Sequence, residues 1–442
     1  MTRETLRADA LACHAAALAA VDPGRLVARR LARAGDALVL SGADGRACAE
    51  HRGPVVVVGA GKAALGMARA VAGIAGVACR GGIVVVPHGP IGSCPAGIEV
   101  ATGAHPVPDA AGEAATQRLV AAVRGPDART LVVAVLSGGG SALLVAPAAG
   151  LALADKRAVT ARLLVSDADI AALNTVRKHC SAVKGGGLVR AATSAAGIWA
   201  LLLSDVVGDD PATIASGPTV ADPTTFADAV AVLSRHLASE DVPSSVQDHL
   251  RRGVAGAIPE TVKPGDPLLE RTRTVVVGGN RDAVDAAAAL AATRGYRVDV
   301  VEAPLAGDAA DTGRALAARL TAAPRDGPVA LIAGGETTVR AVRGGRGGRC
   351  QQLALAAAVA LAGESLVLLA AGTDGVDGPT DAAGALVDGG TVARATARGL
   401  DAARALLATD SHPLLAATGD LLRIGPTGTN VADVVVALRG AC

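Results

Sequence analysis

The sequence predicts an α/β protein with mostly parallel sheets, and three observations support this fold class. Short runs of β-branched residues alternate with alanine-rich stretches of helical length, as expected when each strand is followed by a helix. Most strand candidates are continuously apolar, as expected when helices cover both faces of a sheet. Hydrophobic residues make up 51% of the 442 residues, enough for two or three sizeable cores. The predicted strands are 54–58, 82–86, 131–136, 198–203, 274–278, 297–301, 328–333 and 366–371.

A polar stretch rich in proline and charge, residues 239–273, separates the first strands from the later ones. We expect a domain boundary there. The prediction is a larger, Rossmann-like N-terminal α/β domain at 1–265 and a smaller C-terminal α/β region at 266–442. The active site is expected in the cleft between the two domains.

Composition excludes several classes of protein. With a formal net charge of +1 and an aromatic content of 1%, the chain lacks the basic surface and the stacking side chains of a nucleic-acid binder. Seven cysteines without a C-x-x-C pair argue against a disulfide framework and a zinc site, and favour a reducing compartment. The N-terminus predicts an amphipathic helix rather than a signal peptide. The longest uncharged stretch, 131–154, is broken by SGGGS and Pro147, so we expect a cytoplasmic protein outside the membrane.

The ends of the predicted strands are the most informative feature of the chain. Nearly every one ends in glycine together with Ser, Thr, Asp, Asn or Lys. Ligands of open α/β sheets bind outside the carboxyl ends of the strands, so these segments predict the walls of a site. In chain order they read GAGK, PHG, SGGGS, SDVVGDD, GGN, GGETT and GTDGVDG.

The segment VVVVGAGKAALGMA predicts a strand, a glycine turn and a helix whose first turn carries Lys62. The P-loop pattern fails because Val56 and Ala63 occupy its glycine and Ser/Thr positions. The strict dinucleotide fingerprint G-x-G-x-x-G is not matched, because Ala64 stands where its third glycine is expected, two residues before Gly66. What remains is either an anion site at a helix N-terminus or a tight turn with a solvated lysine.

Close carboxylates follow two strands, at 204–223 and at 372–385. The close carboxylates would suit Mg²⁺, which takes one or two carboxylates plus phosphate oxygens. They are Asp205, Asp209 and Asp210 in the first segment and Asp374, Asp377 and Asp381 in the second. The alternative is Asx turns that cap helices.

Basic residues lie in two glycine-rich segments. In 173–192, Arg177 and Lys184 flank or precede a triple glycine, and Asn174 stands nearby, which favours an anion-facing segment. In 343–360, three arginines precede or begin a predicted helix and could bind phosphate or carboxylate. A low-complexity surface loop would show the same sequence pattern.

Taken together, these motifs resemble the class II glycerate kinases, or glycerate 2-kinases, whose smaller C-terminal domain is the MOFRL domain. The resemblance covers about residues 10–440. It is carried, in one order, by GAGKAALGMA, HPVPDAAG, LSGGGSALL, LNTVRKHCSAVKGG, SDVVGDDPATIASGPT, GGETTV, AAGTDGVDGPTDAAGA and TGTNVAD.

The resemblance implies phosphorylation of D-glycerate to 2-phosphoglycerate with ATP and Mg²⁺. It implies Lys62 and Arg349 as catalytic cations, Asp205 as the catalytic carboxylate, and Asp209 and Asp374 as metal ligands. Which aspartate binds Mg²⁺ and which accepts the proton stays open. The implied substrate and phosphate contacts are Gly59, Gly61, Ser137, Gly138, Gly139, Gly140, Ser141, Asn174, Arg177, Lys184, Ser216, Gly217, Gly335, Glu336, Thr337 and Asn430.

One loop departs from the family. Where the family typically reads Gly-Gly-Arg-Asn-Gln-Glu, this chain has Cys350 at the Asn position and Gln352 at the acidic position, while Arg349 is kept. If those family side chains orient substrate, the departures would alter affinity or substrate choice.

Two other readings stay open. The alternative function is an NAD(P)H-dependent hydroxypyruvate reductase, although Arg80 stands where an acidic residue should meet the ribose. A non-catalytic binding protein is the second. The 2-position of phosphorylation depends on the resemblance alone, and the chain is expected to be a monomer or a homodimer.

Overall fold

The structure, a computed structural model, describes residues 1–441 and divides into two compact units. The central unit is Pro23–Val277, and the terminal unit joins Met1–Asp22 to the chain from Gly278 onward. The predicted limits of 1–265 and 266–442 differ from this division, because the first 22 residues pack with the C-terminal half.

The strands are β1 (Leu31–Ala34), β2 (Ala37–Ser41), β3 (Ala47–His51), β4 (Val55–Ala60), β5 (Cys79–Pro87), β6 (Ile98–Gly103), β7 (Leu131–Ser137), β8 (Gly197–Leu203), β9 (Thr272–Gly278), β10 (Arg297–Val300), β11 (Val329–Gly335), β12 (Leu366–Gly372), β13 (Gly384–Asp388), β14 (Leu421–Leu422) and β15 (Asp433–Arg439). The α-helices are α1 (Arg3–Ala20), α2 (Pro23–Arg30), α3 (Ala64–Ala75), α4 (Ala110–Arg124), α5 (Gly140–Leu143), α6 (Leu153–Leu164), α7 (Ile170–His179), α8 (Gly187–Ala191), α9 (Phe226–His236), α10 (Ser244–Val254), α11 (Asn280–Thr293), α12 (Ala309–Ala322), α13 (Arg349–Ala360), α14 (Thr391–Thr396), α15 (Ala402–Leu407) and α16 (Ser411–Thr418).

The central unit is built on one six-stranded sheet with the order β6-β5-β4-β7-β8-β9. The pairs β6/β5, β5/β4, β4/β7 and β7/β8 are parallel, which confirms the predicted parallel sheet. Every residue of β7 and β8 is buried, as their continuous apolar runs require. Because the strands run the same way, the loops that follow β4, β7 and β8 emerge at one edge of the sheet.

All eight predicted strands are present, with small shifts at their ends. The structure adds β6, β13, β14 and β15 to the two large sheets, and it adds a separate antiparallel sheet of β1, β2 and β3.

The terminal unit has a mixed sheet with the order β10-β11-β15-β12-β13-β14. In this sheet β10/β11 is parallel and the other strand pairs are antiparallel, so the expectation of parallel strands does not extend to this unit. The reason is that β15, near the end of the chain, inserts antiparallel between β11 and β12. Its first residue, Asp433, therefore pairs with Gly335 and Gly372, the last residues of those two strands.

Helix α1 joins the terminal unit through buried polar contacts. The Asp9 carboxylate accepts hydrogen bonds from the Tyr296 hydroxyl (2.6 Å) and from the Arg294 guanidinium. Arg7 Nη1 donates to Asp388 at 2.6 Å. Breaking contacts of this kind would leave buried charges without partners, which explains why residues 1–22 belong with the C-terminal half.

Across residues 1–441, no single helix is long and apolar enough to cross a membrane. Helices α1 and α2 meet that test of length and composition only when taken together across a bend.

Candidate active site

In the central unit, two glycine loops at the carboxyl ends of β4 and β7 are bonded to each other. The backbone N–H of Lys62 donates to the Gly138 carbonyl at 2.9 Å. The next N–H, of Ala63, donates to the Ser137 hydroxyl at 3.0 Å. Lys62 lies two residues before α3, not in its first turn as predicted, because Ala63 is the residue that caps this helix.

Glycine is required where these loops touch. Gly61 has φ of +133°, and a Cβ atom there would lie 2.2 Å from the Ser137 hydroxyl oxygen. Gly139 has φ of +82°, and a Cβ there would meet Lys62 Cγ at 3.6 Å and the His105 ring at 3.2 Å. The first carbons of the Lys62 side chain therefore lie beside the SGGGS loop. Three residues predicted from the sequence, Lys62, Ser137 and Gly139, lie close together in the structure.

Three further predicted residues meet through their side chains. The hydroxyls of Ser141 and Ser216 are 3.0 Å apart, and the Ser216 hydroxyl donates to Asn174 Oδ1 at 3.2 Å. These residues come from α5, from the segment after β8 and from α7. They form a polar row at the end of the SGGGS loop, a contact that the sequence does not reveal because Ser141 and Ser216 are 75 positions apart.

The segment that carries Ser216 has an unusual backbone. Ala215, Ser216 and Gly217 have φ of 51°, 63° and 64°, in the left-handed region. A non-glycine residue held there stores about 1–3 kcal/mol of strain. The N–H groups of Gly185 and Gly186 donate to the Ser216 and Gly217 carbonyls at 3.2 Å and 2.8 Å, and these bonds hold the conformation.

Lys184 supports the same segment from inside the protein. Lys184 is 1% exposed, and its Nζ donates to the Ala215 carbonyl at 3.2 Å. Burial lowers the pKa of Lys184 well below its ordinary value, and the positive charges of Lys156 and Arg177 add to this effect. Burial also lowers the pKa of Arg177. In the structure Lys184 thus contacts loop backbone, while its contact with substrate stays a prediction.

The aspartates after β8 differ in their roles. Asp210 caps a turn, because its carboxylate accepts from Ala212 N at 3.0 Å and from the Thr213 hydroxyl at 2.8 Å. That is the Asx-turn alternative. Asp205 is half-buried, and Asp209 has a left-handed backbone, with φ of 52°.

In the terminal unit, the guanidinium of Arg349 binds two carboxylates at the start of α13. Nε and Nη2 donate to Asp433 at 2.6 Å and 2.8 Å, and Nη1 lies 2.8 Å from Glu336 Oε1. Burial alone would lower the pKa of Arg349, but the Asp433 carboxylate outweighs burial and raises it. The other two arginines of this segment, Arg343 and Arg346, are exposed, so the three do not form one cluster.

The N-terminus of α13 is bound by Asp377, whose carboxylate the sequence analysis grouped with possible Mg²⁺ ligands without predicting this contact. Asp377 accepts from the backbone N–H groups of Cys350 (3.1 Å) and Gln351 (2.8 Å) and from Gln351 Nε2 (3.0 Å). Gly348 makes room for it, since a Cβ there would lie 2.2 Å from Asp377 Cγ. Burial raises the pKa of Asp377 to about 6.

The departures from the family loop face the protein interior. Cys350 is 2% exposed and belongs to the apolar core of the terminal unit. Gln352 is 4% exposed and donates from Nε2 to the Leu406 carbonyl at 2.8 Å. Burial raises the pKa of the Cys350 thiol. Both side chains act in packing, so the structure gives no support to the expectation that they alter substrate choice directly.

The remaining predicted residues lie at the ends of β11 and β12 or just before β15. Gly335 has φ of +133°, where a Cβ would lie 2.4 Å from the backbone nitrogen of Leu305. Thr337 and Asn430 are buried, and Asp374 is half-buried.

Asp433 is a functional candidate that the sequence prediction omits, and the contact of Asp377 with α13 was not predicted either. Asp433 ends the motif TGTNVAD and had no assigned role, whereas Asp377 lies within GTDGVDG and was grouped with the carboxylates that suit Mg²⁺. Only the long-range contact with α13 distinguishes them from turn residues.

Comparisons with known proteins cover nearly the whole chain. Residues 9–251 match a domain of unknown function, DUF4147, and residues 329–433 match the MOFRL family. The chain is 37% identical over 428 residues to the glycerate 2-kinase of Pyrococcus horikoshii, covering 96% of this chain and 94% of that protein. It is 38% identical over 390 residues to the D-glycerate 2-kinase of Thermotoga maritima, covering 87% and 90%.

One relative carries another name. A putative hydroxypyruvate reductase of Agrobacterium vitis is 45% identical over 398 residues, covering 88% of each chain. Among solved structures, the crystal structure of a glycerate kinase from Thermotoga maritima matches with a TM-score of 0.83 and 36% identity, covering 98% of this chain and 99% of that one.

Proposed function

We propose that this chain, which belongs to the glycerate 2-kinase family with a MOFRL domain, transfers the γ-phosphoryl group of ATP to D-glycerate. The observation that supports this most strongly is the similarity to a relative named glycerate 2-kinase, which covers 96% of this chain and 94% of that relative. The glycine loops joined at the carboxyl ends of β4 and β7 agree with it, since phosphoryl transfer mainly needs positioned groups and neutralised charge.

In the proposed reaction the phosphoryl group passes directly from ATP to D-glycerate. The 2-hydroxyl oxygen of D-glycerate bonds to the γ-phosphorus, the bond from that phosphorus to the β–γ bridging oxygen breaks, and ADP leaves. The hydroxyl proton passes to a carboxylate, for which we propose Asp205. The products are 2-phosphoglycerate and ADP.

We propose that the loop Ser137–Ser141 binds phosphate or the small acid through its backbone N–H groups. Lys62 and Arg349 are the proposed cations. The row formed by Ser141, Ser216 and Asn174 supplies hydroxyl and amide groups to the same loop. Such groups can hold an anion in a fixed orientation by hydrogen bonds, with no covalent bond to it.

The carboxylates present fit a magnesium ion that arrives with the nucleotide. Within residues 1–441, no group of three His, Cys, Asp or Glu side chains could hold a metal by itself. A nucleotide-bound Mg²⁺ needs only one or two carboxylates, because phosphate oxygens and water complete its shell. We propose Asp209 and Asp374 as the ligands, with Asp205 as the alternative. The bound ion would neutralise charge on the β- and γ-phosphates.

The reductase name of the Agrobacterium relative is the competing function. In this chain Gly66 lies inside α3, where a Cβ would meet Pro23 Cβ at 3.2 Å. Close packing against α2 therefore accounts for Gly66, and no pyrophosphate contact is needed to explain it.

Two assays on one preparation separate the functions. We expect ADP release from ATP, Mg²⁺ and D-glycerate, and no loss of nicotinamide absorbance with NAD(P)H and hydroxypyruvate. Loss of absorbance without ADP release would contradict the kinase proposal and establish the reductase. Adding EDTA tests the metal, because a magnesium-dependent kinase stops releasing ADP and recovers with excess Mg²⁺.

A further inference from the structure

The backbone N–H groups of the triple glycine after Lys184 are bonded to the protein itself. A phosphate-binding loop needs N–H groups that point at the ligand. Here three N–H groups donate to successive carbonyls of the segment that carries Ser216. These bonds are Gly185 N to the Ser216 carbonyl (3.2 Å), Gly186 N to the Gly217 carbonyl (2.8 Å) and Leu188 N to the Pro218 carbonyl (3.1 Å). The N–H of Gly187 donates to the Lys184 carbonyl at 3.0 Å, so the segment faces protein acceptors and not an anion.

The side chain of Lys184 extends this row of bonds by one carbonyl. Its Nζ donates to the Ala215 carbonyl at 3.2 Å, directly before the three carbonyls that the backbone holds. Residues 184–188 therefore hold every carbonyl of residues 215–218. Because Lys184 is 1% exposed, almost none of its side chain is left for a ligand to touch.

The 215–218 segment needs to be held, because two of its residues have an unfavourable backbone conformation. Ala215 and Ser216 have φ of 51° and 63°, in the left-handed region, and neither is glycine. Such residues stay in this region only when the surrounding structure fixes them. Loss of a bond to the Ala215 carbonyl should therefore let the segment relax.

The same segment packs against the SGGGS loop. A Cβ added at Gly140 would lie 2.8 Å from Ala215 Cβ, so the two backbones approach closely there. The hydroxyls of Ser141 and Ser216 are 3.0 Å apart. A relaxed 215–218 segment would thus move one wall of the SGGGS loop.

We propose that Lys184 is a positioning residue, which holds the 215–218 segment in its left-handed conformation and through it fixes the shape of the SGGGS loop. Lys184 acts through the backbone and does not touch the substrate. The part that the SGGGS loop plays in phosphoryl transfer rests on the proposed function.

Lys184→Met tests this role, because it keeps a long unbranched side chain and removes the donor. A displaced SGGGS loop would misalign the reacting groups, so we expect kcat to fall about 100-fold while KM changes much less. Lys156→Met is the matched control. Lys156 is 5% exposed, and its Nζ also donates to two carbonyls, those of Arg177 (2.9 Å) and Cys180 (3.2 Å), outside the 215–218 segment. The control should keep the kcat of the unaltered protein.

A second substitution separates positioning from direct contact. Glycine adopts the left-handed conformation without strain, so Ala215→Gly makes the segment less dependent on the Lys184 donor. The fall in kcat that Lys184→Met causes should therefore be about tenfold smaller when Ala215→Gly is also present. A lysine that touched the substrate would cause the same fall in both backgrounds. That result, or unchanged kcat in a folded Lys184→Met protein, would overturn the proposal.

Amide hydrogen exchange keeps this inference distinct from the proposed function, because it needs no turnover. Without ligand, the amides of residues 185–188 should exchange slowly in the unaltered protein. In Lys184→Met, peptides that span 212–220 and 137–145 should exchange about five- to tenfold faster, the scale of one lost hydrogen bond. Lys156→Met should leave both peptides unchanged.

The exchange results decide the proposal even where the kinetic ones cannot. Slow exchange at 185–188 and faster exchange in Lys184→Met, in a protein that releases no ADP, would sustain the positioning role while the kinase proposal fails. If Lys184→Met does not fold, the unaltered protein decides. Amides of 185–188 that exchange as an exposed loop does, or that slow only after inorganic phosphate is added, would overturn the proposal.

Discussion

The Ser137 hydroxyl accepts a hydrogen bond from the Ala63 N–H at 3.0 Å, and this bond fastens the end of β7 to the turn after β4. The adjoining bond from Lys62 N to the Gly138 carbonyl makes the attachment two-point. The lysine and the SGGGS loop are therefore set relative to one another by backbone geometry, before any ligand binds.

Replacing Gly61 tests this attachment. Gly61→Ala places a Cβ 2.2 Å from the Ser137 hydroxyl oxygen, on a backbone with φ of +133°. Gly89→Ala is the matched control, since its φ is +147° and no atom lies within 4 Å of the added carbon. Both variants carry strain of about 1–3 kcal/mol. Gly61→Ala should lose about 1–3 kcal/mol more in denaturant unfolding, from overpacking. Equal stabilities would contradict the described contact.

Lys62 should matter for turnover far more than for stability. It is only half-buried, so Lys62→Ala removes little packing. If Lys62 neutralises charge on the transferring group, kcat should fall about 100-fold or more. Steady-state ADP release and a thermal melt of the same sample measure both quantities. Near-normal turnover would remove Lys62 from the proposed mechanism.

Asp377 should make stability fall as the pH rises. Its folded pKa of about 6 lies above the ordinary value of 3.8, so the folded protein holds a proton that the unfolded chain has released between these values. Stability is therefore greater below pH 4 than above pH 6, by up to about 3 kcal/mol from this group.

Unfolding of Asp377→Asn, measured from pH 4 to pH 7, isolates that contribution. As the pH rises, the unfolding free energy of the unaltered protein should decrease relative to that of the variant. A difference that stays constant across this range would show that Asp377 does not titrate as described.

His14 should act in the opposite direction. It is 3% exposed in α1, and burial lowers its pKa from 6.5 to about 4. As the pH falls through this window, the unfolded chain gains a proton that the folded protein does not bind, so stability is lost, by up to about 3 kcal/mol.

His14→Leu removes the titrating group at a similar volume. In the structure Nε2 of His14 has no hydrogen-bond partner, so the variant loses no bond at that atom. Its unfolding free energy should fall less than that of the unaltered protein between pH 6.5 and pH 4. A parallel decline in both proteins would contradict the assignment.

Local pattern predicted the strands well and their pairing only in part. The apolar runs of β7 and β8 were recognisable because burial on both faces leaves a continuous signature. The insertion of β15 between β11 and β12 leaves no such signature, since any strand order satisfies the same local composition. For this reason the parallel arrangement holds in the central unit and not in the terminal one.

The residues of the candidate site were likewise predictable from local sequence only in part. Glycine loops, Lys62 and Arg349 were recognisable from their types and from the family motifs. Asp433 was not, because its role depends on an arginine 84 residues away. Cys350 and Gln352 stood in a functional motif, yet their side chains pack inward, which only the orientation of α13 reveals.

Phosphorylation of D-glycerate at position 2 is the central claim, and enolase coupling tests it most directly. The protein is supplied with ATP, Mg²⁺ and D-glycerate, and enolase is added without a phosphoglycerate mutase. The account predicts that enolase consumes the product at once, in step with ADP release. A product that enolase uses only after a mutase is added would contradict position 2, and the absence of ADP would contradict the kinase itself.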